Sequence, residues 1–87
     1  IHAWGAGKFA KQQIKYLNKI GISVDYSYDI DPKKIIKEQK VLHINKIPKP
    51  DHCFILCLVG KGDARCEITE FLSKKGYIIE KDFIFAA

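Results

Sequence analysis

The chain has 87 residues, 47% of them hydrophobic and 29% charged, the balance of one ordinary globular domain that buries roughly 60–65% of its unfolded surface. No apolar run approaches the ~20 residues of a membrane span, and the first residues lack the layout of a signal peptide. Fifteen Lys and Arg against ten Asp and Glu give a net charge of +5, but the lysines are spread along the sequence beside a single Arg65, which disfavours nucleic acid and suits an anionic small ligand such as a nucleotide.

The chain starts at Ile1, already inside a strand pattern, and so reads as a segment of a longer protein spanning residues 1–87 as one domain. Residues 1–4 form a first short strand. The pair Gly5 and Gly7 then turns the chain into a helix from Gly7 to Ile20, where Ala10, Ile14, Leu17 and Ile20 recur at helical spacing, and Gly21 stops it. Ile22 to Ile30, rich in β-branched and aromatic residues, is expected as the second strand. Asp31 and Pro32 then cap and open a short helix to about Lys37.

Val41 to Ile44 is a short strand and Asn45 to Pro50, with two prolines, a loop. Cys53 to Val59 is a continuous apolar run, as in a central parallel strand buried on both faces. Gly60, Lys61 and Gly62 break it. A second helix follows with Asp63 as N-cap, Ala64, Ile68, Phe71 and Leu72 inward, and Gly76 as its stop. Tyr77 to Ile79 and Phe83 to Phe85 supply the last strand. Strands alternating with helices make an α/β fold with a mainly parallel sheet.

The first turn carries the most chemistry. Gly5, Gly7 and Ala10 have G-x-G-x-x-A spacing after a strand and at the head of a helix. The first glycine permits the tight turn, the second lets a phosphate approach bare backbone, and the alanine lets helix and strand pack closely. A second glycine loop, Gly60-Lys61-Gly62, follows the strand expected beside the first, so both should border one crevice. Asp29, roughly 20 residues past the glycines, is placed to reach a ribose, whereas Asp31 is committed to capping. Gly7-Lys8 is not a Walker A loop, because Phe9 stands where Ser or Thr would hold magnesium. Trp4 belongs either to the core or to a stacking surface for a base.

Three cysteines with no framework spacing point to reduced thiols in a cytoplasmic protein. Cys53 and Cys57 fall on one face of a strand but ~13 Å apart, too far for a disulfide or shared metal. They are expected to be buried, with Cys66 more accessible near a helix start.

Several segments together resemble a known family: Ile1-His2-Ala3-Trp4-Gly5-Ala6-Gly7-Lys8, Asp29-Ile30-Asp31-Pro32-Lys33-Lys34-Ile35, Ile47-Pro48-Lys49-Pro50, Val59-Gly60-Lys61-Gly62-Asp63-Ala64-Arg65, and Gly76-Tyr77 with Lys81-Asp82-Phe83. The series resembles the small Rossmann-like domain that follows the catalytic domain in certain bacterial glycosyltransferase family 2 proteins. It is also similar to the nucleotide-sugar-binding N-terminal domains of bacterial sugar acetyltransferases and epimerases. The resemblance implies a three-layer Rossmann-like domain that binds a nucleotide or nucleotide-sugar and is not itself catalytic. Phosphate binding would fall on Gly5, Ala6, Gly7 and Lys8, with Asp29 near a ribose and Gly60 and Lys61 closing the crevice; Phe9, next in the loop, is expected among the residues a nucleotide touches. The implied partner is a catalytic domain of the same chain. Ile36, where relatives usually have glycine, and the segment Glu38 to His43 depart from the pattern. The alternatives are an NAD-binding fragment of an oxidoreductase and a non-binding interaction domain.

Overall fold

Two side-chain rows running across one sheet account for the architecture. In the computed structural model, which describes residues 1–31, 33, 36, 39–59 and 62–86, the strands are β1 (His2–Trp4), β2 (Tyr26–Asp29), β3 (Lys40–His43), β4 (Ile55–Cys57) and β5 (Phe83–Phe85), and the helices α1 (Lys8–Lys19) and α2 (Gly62–Lys74). The strand order is β3-β2-β1-β4-β5 and every pairing is parallel.

The register aligns Val41, Ser27, Ala3, Leu56 and Ile84 in one row, and Leu42, Tyr28, Trp4, Cys57 and Phe85 in the next. Successive residues of a strand face opposite sides, so the rows face opposite layers. The first meets α1: Ala3, Val41 and Leu56 cluster with Ala10, Ile14 and Leu17. The second meets α2: Trp4, Tyr28 and Cys57 cluster with Ile68, Phe71 and Leu72. Helices on both faces of a parallel sheet make a small three-layer α/β fold of Rossmann type.

Small side chains set the α1 spacing. Ala3, Ala6 and Ala10 are buried there, and Ser27 is fully covered while receiving Gln39 Nε2 on its hydroxyl at 3.4 Å. Both helices end as their glycines indicate. Gly21 N–H bonds to the Asn18 carbonyl and Ile22 N–H to Leu17, while Gly76 and Tyr77 repeat the pair with Ser73 and Leu72. These are the 5→2 and 6→1 bonds of a Schellman stop.

Several boundaries move. Residues 22–25 are a connection, not strand: Asn18 Oδ1 accepts from Val24 N–H at 3.1 Å, and Ser23 donates to Asp25 at 3.1 Å. Strand β3 ends at His43, whose Nδ1 accepts from Asn45 N–H and starts a 3-10 turn at Ile44. Only Ile55–Cys57 of the long apolar run pairs as strand, and the centre of the sheet is β1, with β4 between it and β5. Residues 77–79 form no strand of the sheet, since Glu80 at φ 71° turns the chain before Phe83. Asp63 lies inside the first turn of α2 rather than ahead of it. The short helix expected from Asp31 to Lys37 falls mostly outside the described residues; Asp31 does accept Lys33 N–H, and Ile36 forms a bridge with Gln39. No described helix is long and apolar enough to cross a membrane.

Candidate functional site

The sheet reverses its winding between β1 and β4, and the loops leaving these neighbouring strands share one end of the sheet. The Leu58 N–H bonds to the Trp4 carbonyl at 2.9 Å, so the two strands stay paired up to the point where their loops diverge. A crevice at such a switch point is where open α/β sheets bind ligands. Gly60 and Lys61, the expected second lip, lie outside the described residues.

The two glycines of the first loop have different reasons to be glycine. Gly5 sits at φ +125°, and a Cβ there would lie 3.2 Å from Val59 Cγ2 and 3.3 Å from the Leu58 carbonyl oxygen. Fold geometry alone demands it. Gly7 is extended, at φ −77° and ψ −175°, and a Cβ would meet nothing within 4 Å. Neither backbone nor packing calls for glycine there, and the space above it is open.

Asp29 braces this loop from β2. Its Oδ2 accepts the Ala6 N–H at 3.0 Å and its Oδ1 the Asp31 N–H at 2.9 Å, and the residue is only 6% exposed. Charge-assisted bonds to backbone amides are among the stronger hydrogen bonds available. Asp29 is therefore at the end of β2 where a ribose reader belongs, but its carboxylate shapes the loop. The amides of Gly5 and Ala6 are likewise engaged, Gly5 by the Tyr28 carbonyl at 2.7 Å. No described residue accepts a hydrogen bond from the N–H groups of Gly7, Lys8, Phe9 or Ala10. They lie at the positive end of α1.

The first turn of α1 has no acidic residue, and Lys8 stands in it. A cation at a helix N-terminus is mildly unfavourable, so this arrangement does not serve the helix itself. Lys8 and Phe9 are both exposed beside the open amides.

Trp4 belongs to the core. It is 6% exposed, and its ring meets Phe71 edge-on at 5.4 Å, so it offers no face to a ligand. Cys57 is buried and Cys66 exposed as expected, but Cys53 is only half-buried because it precedes the strand; its Sγ lies 3.3 Å from the Tyr77 hydroxyl. Burial pushes the Cys57 thiol up to about 12 and raises that of Cys53. The described residues contain no cluster of acidic, His and Cys side chains that could hold a metal ion.

On the α2 face of the sheet, His2 Nδ1 and the Tyr28 hydroxyl are 2.8 Å apart, and Tyr77 donates to the Pro48 carbonyl at 2.8 Å. Burial raises Tyr28 to about 12 and lowers His2. The first pair joins β1 to β2, and the second ties residue 77 to the 44–53 segment. The chain matches no protein-family model, no curated protein and no solved structure.

Proposed function

We propose that the domain binds the diphosphate of a nucleotide or nucleotide-sugar at the β1–α1 loop, as an accessory module of a glycosyltransferase. The observation that carries this reading is the contrast between Gly5, which the fold requires, and Gly7, which it does not. A bare backbone position facing open space, at a helix N-terminus beside the switch point, suits close approach of a phosphate. The open amides from Gly7 to Ala10 would donate to it, Lys8 would add charge, and Asp29 would hold the loop that presents them. Phe9 flanks the same opening. The sugar-transfer setting comes from the family resemblance, and these residues contain no catalytic constellation of their own. Gly60 and Lys61, which the sequence spacing assigns to the same crevice, are included in the proposal on that ground alone.

Calorimetric titration of the chain with a UDP-sugar, and separately with NAD, tests this. Gly7→Val should abolish binding while leaving the unfolding midpoint almost unchanged, because the added side chain enters empty space. If Gly7→Val binds as the wild type does, the loop is only a turn. A preference for NAD would move the reading to a dinucleotide.

A further inference from the structure

The lysines that look scattered in sequence gather on one helix. No acidic residue precedes Asp25, so residues 1–24 carry Lys8, Lys11, Lys15 and Lys19 unopposed, and the remaining eleven basic and ten acidic residues nearly cancel. Four of the five net positive charges thus belong to α1. At 100° per residue these four lysines fall within about 80° of arc. All four are exposed, and no described acidic residue pairs with them.

A second stripe runs beside the first. Phe9 and Tyr16 on α1 and Ile20 at its C-cap lie within about 40° of one another and are 43%, 58% and 53% exposed. The core stripe of Ala10, Ile14 and Leu17 faces the sheet; by the same 100° steps the lysine and apolar stripes are centred about 120° apart, one on each side of the outward-facing half of the helix. Folding explains neither. Three large apolar side chains in water cost stability, and four like charges along one face repel each other.

We propose that this face of α1 docks on an anionic lipid bilayer. Lysine stems can lie along the interface with their ammonium groups among lipid phosphates, while the adjacent rings and Ile20 enter the headgroup–acyl boundary. Charge alone would also suit a nucleic acid. The face, however, presents lysine without the bidentate guanidinium that reads phosphates, and it includes an aliphatic side chain that cannot stack on a base. The single Arg65 lies on α2, with its guanidinium over the Phe85 ring at 5.1 Å.

The test is co-sedimentation of the 87-residue chain with vesicles of phosphatidylcholine alone, or of equal parts phosphatidylcholine and phosphatidylglycerol. Binding is expected only to the anionic vesicles and should weaken with salt. Replacing Lys11, Lys15 and Lys19 by Gln should lower partitioning about 100-fold, from the usual contribution of a lysine near a charged bilayer. Lys40→Gln, Lys46→Gln and Lys49→Gln together remove the same charge from β3 and the following loop, and should have far less effect. Tyr16→Ser with Ile20→Ser should also weaken binding. These substitutions avoid Lys8 and Phe9, so nucleotide titration of the same variants is unaffected and the two proposals fail separately. No binding to anionic vesicles, or equal losses in the two lysine triples, overturns the lipid assignment. So does a silent Tyr16/Ile20 pair with full competition by polyuridylate, which would mark a general polyanion surface.

Discussion

Replacing each loop glycine by alanine separates what the fold needs from what it leaves open. At Gly5 the φ of +125° is closed to L side chains, which costs about 1–3 kcal/mol. The new Cβ would also lie 3.2 Å from Val59 Cγ2 and 3.3 Å from a backbone oxygen, adding roughly 1–3 kcal/mol of overpacking. Gly5→Ala is therefore expected to lose about 2–6 kcal/mol, a large part of the roughly 4–13 kcal/mol available to a domain of this size. At Gly7 the backbone is ordinary and the space empty. The slightly poorer N-cap and the reduced freedom of the unfolded chain should cancel to within about 0.5 kcal/mol. Urea titrations followed by circular dichroism would read both, with unchanged m-values as the sign that only the midpoint moved. Equal losses for the two variants would refute the contrast on which the site rests.

Other expectations follow from the same geometry. Asp29→Ala leaves the Ala6 and Asp31 amides without their carboxylate partner and should cost about 2–4 kcal/mol in urea unfolding; a neutral outcome would mean the brace is dispensable. Folded protein treated with a thiol reagent should label Cys66 fast, Cys53 more slowly and Cys57 only on unfolding, as counted by mass spectrometry. Cys57, raised from 9.0 to about 12, and Tyr28, raised from 10.0 to about 12, favour the neutral form in the folded state. Their contribution is complete below pH 9 and is lost as pH climbs through about 12. The urea midpoint should fall across that window, and Cys57→Ala should flatten part of the fall.

The features legible in the sequence were those with a local cause. Helix stops at Gly21 and Gly76, the apolar run that contains β4, and the glycine spacing after β1 are each set by a few neighbouring residues. The strand ends were less legible because side chains decide them: Asn18 reaches Val24 and His43 caps Asn45 across a few residues that hydropathy cannot rank. Asp29 shows the same limit at the site. Its position at the end of β2 was readable, but its bond to Ala6 spans 23 residues and needs the parallel pairing of β1 and β2 to exist. Trp4 looked available for stacking because it precedes the turn, until the register put it beneath α2. The lysine stripe is legible in the sequence as well, since positions 8, 11, 15 and 19 repeat at helical spacing.

Mapping amide chemical shifts during titration with a UDP-sugar asks whether a nucleotide sits at the β1–α1 loop. Gly5 to Phe9 and residues 60–62 are expected to shift together, saturate with one dissociation constant, and stay silent in Gly7→Val. Shifts confined to one of the two loops, or perturbations centred on the exposed face of α2, would contradict it.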